Sequence, residues 1–273
     1  MAKLRVLECF AGLGACSKAL ENLGIEHEIV DAVEIDKFAI AGFNAIHGTN
    51  FEPQDITTWD KDIQCDLIMH GSPCQDFSIA GKQAGGDEGS GTRSSLMFET
   101  LRIVGKLKPK YVIWENVKNL LSKRHRHNFD AYLEAMEELG YTNYYQVLNA
   151  KDYGVPQNRE RVFTVSVRET ILKATFLPSG KTIERPEKFK FPARRPLTVR
   201  LKDVLEDKVD EKYYLSDEQV AGFVRTTEKA KAKGNGFKFE PIERERERSC
   251  AHNRNQSWVK ADRQLHQGAS HGH

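Results

Sequence analysis

A strand that ends in a glycine turn and runs straight into a helix constrains this chain more than any other feature. Leu4 to Cys9 is an apolar run of strand length, Phe10-Ala11-Gly12-Leu13-Gly14-Ala15-Cys16 follows, and helical period runs from about Ser17 to Leu23. Gly12 and Gly14 let the backbone turn tightly and come close to a ligand, as in the opening unit of a nucleotide-binding α/β sheet. The spacing falls short of G-x-G-x-x-G, which disfavours a dinucleotide. Taken alone, the turn does not establish a cofactor loop.

The next units repeat the pattern. Glu28 to Val33 reads as a second strand ending in Glu34-Ile35-Asp36, and a helix follows from about Lys37 to Ile46. An acid at the end of a second strand is positioned to bind two ribose hydroxyls; the plainer reading is a surface carboxylate. Asp55-Ile56 stands where a third strand would end. An acid there accepts from an adenine amino group or caps the next helix.

Asp66-Leu67-Ile68-Met69 reads as a short buried strand that stops before Gly71-Ser72-Pro73-Cys74. Pro73 stiffens the loop. Cys74 then sits at the carboxyl edge of a parallel sheet, where α/β proteins place their chemistry. A lone cysteine is more often buried and inert, so the thiol needs company to count.

Gly81 to Ser95 is glycine-rich, polar and without apolar period, which is long for an α/β connection and reads as a mobile lid carrying Lys82 and Arg93 toward phosphates. Leu96 to Leu107 returns to helical period. Tyr111-Val112-Ile113-Trp114 is β-rich and ends in Glu115-Asn116-Val117, on the sheet edge that holds Cys74. Glu115 there is either a helix cap or a proton donor. Arg124-His125-Arg126-His127 reads as a solvated basic face, with phosphate contact as the other reading, before an amphipathic helix from Phe129 to Leu139. Tyr144 to Asn149 and Val162 to Val167 read as a hairpin. Between them Arg159 and Arg161 alternate, so an extended backbone would point both to one face. Two guanidiniums there suit a phosphate or a carbonyl oxygen.

Composition sets the outer limits. The chain has 273 residues, 39% hydrophobic and 29% charged, with a net charge of only +2. That suits one large domain or a domain with a smaller companion, and charge alone does not announce a nucleic-acid binder. No apolar run approaches the roughly 20 residues of a spanning helix, and the N-terminus lacks the apolar core of a signal peptide, so a cytoplasmic location is expected. The five cysteines have no paired metal spacing, and no metal is expected. After Arg168, four prolines break up the chain to about residue 197. Leu197 to Val209 and Ser216 to Lys231 regain helical period, and the tail from Ser249 has none.

Together these motifs resemble the DNA (cytosine-5)-methyltransferases, most closely the bacterial and phage type. Phe10-Ala11-Gly12-Leu13-Gly14 looks like that family's S-adenosyl-L-methionine (AdoMet) loop. Glu34 with Ile35 looks like its ribose acid and neighbour, Asp55 with Ile56 like its adenine-side pair. Gly71-Ser72-Pro73-Cys74-Gln75 resembles the nucleophile motif, Glu115-Asn116-Val117 the acid motif and Gln157-Asn158-Arg159-Glu160-Arg161 the paired-arginine motif. Leu96 corresponds to a cofactor-pocket position. The motifs follow family order over residues 4 to 168.

The resemblance implies a Rossmann-like AdoMet-dependent methyltransferase fold, with double-stranded DNA as partner and AdoMet as cofactor. It implies Cys74 as nucleophile, Glu115 on cytosine N3, Arg161 on cytosine O2, and Arg159 by Cys74 and a backbone phosphate. Phe10, Gly12, Leu13, Gly14, Glu34, Ile35, Asp55, Ile56, Pro73 and Leu96 would line the cofactor. A related branch methylates tRNA, but Asp76-Phe77-Ser78 after the Pro-Cys-Gln follows the DNA enzymes.

The expected organisation is a catalytic domain over 1–168, a linker and the start of a small, incomplete target-recognition region over 169–248, and an irregular tail over 249–273. The family's two closing segments are not found, and Gly234-Asn235-Gly236 does not replace them. Shifting a permissive back-translation of the tail by one base yields a peptide like the family's recognition region, so the tail is read as out of frame. Two readings follow: a methyltransferase, alone or completed by a second polypeptide, or a non-catalytic remnant that binds AdoMet or DNA without turnover.

Overall fold

The computed structural model describes residues 3–73, 93–169, 189–199, 203, 206 and 209–232. The order is β1 (Leu4–Cys9), α1 (Ala15–Asn22), β2 (His27–Val33), α2 (Lys37–His47), β3 (Leu67–His70), α3 (Met97–Leu107), β4 (Tyr111–Val117), α4 (Arg126–Glu138), β5 (Tyr141–Asn149), β6 (Glu160–Arg168) and α5 (Asp217–Ala232). The chain divides into two compact units. The first holds 1–148 and 160–192, the second 149–159 and 193–273. The expected boundary at 168 falls within the first unit.

One six-stranded sheet has the order β2-β1-β3-β4-β6-β5. β1 pairs in parallel with β2 and β3, and β3 with β4. β6 runs antiparallel to β4. The carboxyl ends of β1 to β4 therefore share one edge with the start of β6.

Alternation splits the core between the two faces. Leu7, Cys9, Ile68, Val112, Trp114 and Val162 pack with Ile103 and Val104 of α3 and Phe129, Tyr132 and Met136 of α4. Val6, Leu67 and Met69 meet Leu20 of α1, while Ala32 meets Ile40 and Phe43 of α2. On α3 the buried positions Met97, Thr100, Ile103 and Val104 recur at helical spacing. Asp36 caps α2 by accepting from Phe38 and Ala39 N–H, at 2.7 and 3.2 Å, and Gly48 ends the helix at φ +65°.

Three expectations change. The segment around Asp55-Ile56 forms a turn and irregular backbone instead of a third strand. Its polar groups bond to β2 and α3 instead of to a strand ladder. Residues 197–199 are irregular where helical period suggested a helix, and most of 200–208 lies outside the described residues. His125, read as part of a solvated face, is 1% exposed. The expected helix over Ser216 to Lys231 forms as α5, within the second unit. Ser216 and Gln219 cap it reciprocally, Gln219 N to Ser216 Oγ at 3.2 Å and Ser216 N to Gln219 Oε1 at 2.8 Å. No helix among the described residues is long and apolar enough to cross a membrane.

Candidate active site at the carboxyl edge of the sheet

The glycine turn after β1 takes up backbone that side chains resist. Phe10, Gly12 and Gly14 all have positive φ, at 56°, 55° and 79°. A side chain on Gly14 would begin 2.1 Å from His47 Nε2 and 2.7 Å from Phe43 Cε2, so at this positive φ anything but glycine must displace those rings. A side chain on Gly12 would meet no atom of the described residues within 4 Å. Among the described residues the turn therefore presents bare backbone, which suits the close approach of a nucleoside.

Glu34 closes the turn from β2. Its Oε2 accepts from Gly12 N–H at 3.0 Å and its Oε1 from Asp36 N–H at 2.9 Å. Both oxygens are thus oriented by backbone, with lone pairs left for hydroxyl donors. Gln54 N–H donates to the Glu34 carbonyl at 2.8 Å, which brings Asp55 next to the end of β2. Asp55 Oδ1 accepts from Thr57 N–H at 2.9 Å and Thr57 Oγ1 at 2.8 Å, fixing its carboxylate. Ile56 is buried, whereas Leu13 and Ile35 are exposed large hydrophobics, at 57% and 68%. Leu96 is half-buried against the main core.

Cys74 lies outside the described residues, as do 75–92; of the expected lid, only 93–95 is described, in a 3-10 turn spanning Arg93–Leu96. Lys82 is outside them as well. The loop leading to Cys74 is held as far as Pro73. Ser72 is 4% exposed. Its Oγ accepts from Trp114 Nε1 at 3.0 Å and Asn116 Nδ2 at 3.2 Å. Beneath it the ring of His70 stacks on Trp114, with centroids 5.7 Å apart and planes 1° from parallel. His70 Nε2 lies 2.9 Å from Tyr132 Oη. Burial drives the His70 pKa down to about 3, so the ring is neutral.

β4 serves both faces by alternation. Trp114 and Asn116 point to the α3–α4 side, and Glu115 to the other. There Glu115 Oε1 pairs with Arg161 Nε of β6 at 2.9 Å, with the side chains 30% and 19% exposed. Arg159 precedes β6 and belongs to the second unit; its N–H donates to Asn149 Oδ1 at 3.1 Å. Arg161 lies in β6, whereas Arg159 stands in the irregular backbone just before it. Among the described thiols, burial raises Cys65 to about 11 and Cys16 to about 12, and Cys9 further, so none is a thiolate at neutral pH. Among the described residues no cluster could hold a metal ion.

Sequence reasoning passed over Trp114, His70 and Asp31. Trp114 sits in a β-rich run where an aromatic reads as core, which it also is. Asp31 carried the one available signal, a carboxylate in the middle of an otherwise apolar strand.

The C-5 cytosine-specific DNA methylase model matches residues 4–271. The orphan methyltransferase M.SPRI of Bacillus phage SPR is 36% identical over 244 residues, covering 82% of this chain and 55% of that protein. The type II methyltransferase M2.ScrFI of Lactococcus lactis subsp. cremoris is 36% identical over 273 residues, covering 80% and 72%. This chain spans about half the length of two phage relatives it matches, 55% and 50% for those of phages SPR and rho11s. Among solved structures, the Dnmt2 methyltransferase of S. pombe has a TM-score of 0.60 at 20% identity, over 92% of this chain and 70% of that one. A mutant DNMT2 of Spodoptera frugiperda has 0.62 at 22%, over 83% and 65%. At such identities the two structures speak for the shared fold alone, the AdoMet-dependent methyltransferase fold. By the family model and the phage and bacterial relatives, the chain belongs to the C-5 cytosine-specific DNA methylase family.

Proposed function

We propose that this chain carries the catalytic part of an enzyme that moves a methyl group from AdoMet to C5 of a cytosine in double-stranded DNA, through a covalent adduct on Cys74. The observation that supports this most is the Glu115–Arg161 pair at the sheet edge where β4 ends. An oriented acid beside a guanidinium is what a cytosine ring needs at N3 and O2.

C5 of cytosine is a poor nucleophile. Addition of the Cys74 thiolate to C6 forms the Sγ–C6 bond and pushes ring electrons toward N3, where Glu115 hydrogen-bonds or donates a proton. Arg161 holds O2, and Arg159 serves the nucleophile and the backbone phosphate. C5 then has the electron density to attack. AdoMet, when bound, supplies the methyl group as an activated electrophile. A base takes the C5 proton, the electrons break Sγ–C6, and the thiolate is restored. The base must leave the stack for any of this, because a paired cytosine hides its faces.

The cofactor would lie on the bare backbone of Phe10, Gly12, Leu13 and Gly14. Glu34 would receive the ribose hydroxyls, Asp55 the adenine amino group, and Ile35, Ile56, Pro73 and Leu96 the apolar surface. The open space over Gly12 and the oriented carboxylate of Glu34 fit that ligand.

The test is transfer of tritiated methyl from AdoMet to unmethylated DNA by this chain alone, beside Cys74→Ala. Counts that vanish in the variant are expected. Counts that persist in it, or AdoMet binding by calorimetry with no counts in either, would overturn the reading of Cys74 as the nucleophile of a working enzyme.

A further inference from the structure

Asp31 is 1% exposed in the middle of β2. A bulge in β2 opposite the Val6/Leu7 step of β1 sets Asp31 across from Leu7, on the α3 side of the sheet. A carboxylate buried there is costly unless donors surround it. They do. Oδ1 accepts from Ala32 N–H at 3.0 Å and Gln54 Nε2 at 2.8 Å. Oδ2 accepts from Trp59 Nε1 at 2.8 Å and from Lys61 Nζ at 2.9 Å.

Three of those four donors belong to residues 54, 59 and 61, which bracket Asp55 and Ile56. Gln54 Nε2 also donates to the Ala32 carbonyl at 2.9 Å. From the opposite side Arg102 of α3 reaches the carbonyls of Ile56 and Trp59 at 2.7 and 2.8 Å. Lys106 reaches the carbonyl and carboxylate of Asp60 at 2.8 and 2.6 Å. The segment has neither strand nor helix to hold it, so side chains set its place.

We infer that Asp31 is a positioning residue for the adenine side of the cofactor site. Its carboxylate sets where the 54–61 segment stands against the end of β2, and with it the separation of Asp55 from Glu34. An apolar residue at 31 would suit the core as well but would bond none of Gln54, Trp59 or Lys61. The inference rests on the cofactor reading proposed above for Asp55.

The experiment uses the full chain and Asp31→Asn, which keeps the side chain's shape and removes its charge. Calorimetry compares AdoMet with its analogue bearing purine in place of adenine, which lacks the amino group. Wild type should prefer AdoMet by about tenfold, the worth of one hydrogen bond. In Asp31→Asn the preference should shrink toward that of Asp55→Ala, with affinity for the purine analogue little changed. A variant that keeps full discrimination, or that loses both ligands equally, overturns the inference. Lys61→Met, with its side chain half exposed, guards against simple misfolding and should show a smaller change of the same kind; unaltered discrimination there also counts against it. Amide exchange gives a second readout that needs no ligand. The 51–61 peptide should exchange at least about tenfold faster in Asp31→Asn while α4 stays protected. If wild type binds neither ligand, the cofactor reading fails and exchange alone decides, with unchanged protection of 51–61 overturning the positioning role of Asp31.

Discussion

Glu115 and Arg161 meet across the β4–β6 pair, Oε1 to Nε at 2.9 Å. The antiparallel register sets Glu115 opposite Phe163 and Val117 opposite Arg161, so the two side chains share a face at diagonal positions. Arg161 Nη1 also donates to the Glu160 carbonyl at 2.8 Å, which helps hold the guanidinium. A planar guanidinium with fixed neighbours orients the carboxylate it pairs with. Acid and cation thus come from adjacent strands of a rigid sheet, with no loop between them and the core.

From this pair follows a division of labour between chemistry and binding. Glu115→Gln keeps a hydrogen-bonding group but cannot deliver a proton. It should lower methyl transfer by about 10²- to 10⁴-fold, the usual worth of general acid catalysis. Arg161→Ala should lower it by a similar factor. Neither should change AdoMet affinity, because neither residue belongs to the proposed cofactor surface. Tritium transfer and calorimetry on the same preparations check this. A parallel fall in AdoMet binding would show that the pair acts by holding the fold.

Ser72 ties the loop before Cys74 to β4. Its hydroxyl is shared by Trp114 Nε1 at 3.0 Å and Asn116 Nδ2 at 3.2 Å, and Trp114 is fully buried. Ser72→Ala leaves buried donors without their acceptor, at about 1–3 kcal/mol. Urea unfolding should show that loss. Methyl transfer should fall while AdoMet affinity holds, since the bond holds the loop before Cys74, the proposed nucleophile. Stability unchanged within error would mean that the donors find other partners.

Much of this was legible in the sequence. β1 falls on the residues its apolar run predicts, β2 and β4 differ by one and three residues at one end, and β3 is displaced by one residue. These strands are short apolar runs bounded by turn residues, the pattern that buried parallel strands impose. The glycine turn was readable because positive φ selects glycine. What escaped was held by distant partners. Asp31 gains its meaning from Gln54 and Trp59, 23 and 28 residues along the chain. The expected third strand failed for the same reason, since side chains of β2 and α3 hold that segment in place of a ladder. Arg159 and Arg161 look equivalent by alternation, yet β6 begins between them.

Gly14 and Gly24 separate two reasons for glycine. Both have positive φ, +79° and +67°. Among the described residues a side chain on Gly24 meets nothing within 4 Å, whereas one on Gly14 runs into His47 and Phe43. Gly24→Ala should therefore cost only the left-handed backbone, about 1–2 kcal/mol, and leave AdoMet affinity intact. Gly14→Ala should cost more and abolish AdoMet binding by displacing the turn. Equal effects of the two on affinity would mean that the contact with His47 does not shape the turn.

His70 makes stability depend on pH in a set direction. The ring is buried against Trp114 and Tyr132, with Thr100 Oγ1 at 3.5 Å from Nδ1, and burial pulls its pKa from 6.5 to about 3. Above pH ~6.5 the ring is neutral in both states and contributes no slope. Between there and its folded pKa, the unfolded chain binds a proton that the folded chain refuses. Stability must then fall as pH falls, by about 2 kcal/mol at pH 5. Asp66, held below the usual carboxylate range chiefly by Arg5, adds a loss of the same sign only in stronger acid. Glu8, whose carboxyl burial raises, gives an opposite slope that is common to wild type and variant. His70→Gln removes only the first contribution. Urea midpoints from pH 7 to 5 should fall less in the variant, by about 2 kcal/mol in free energy across that range. Parallel curves would mean that the folded chain accepts the proton, and that the ring beneath Ser72 is open to water.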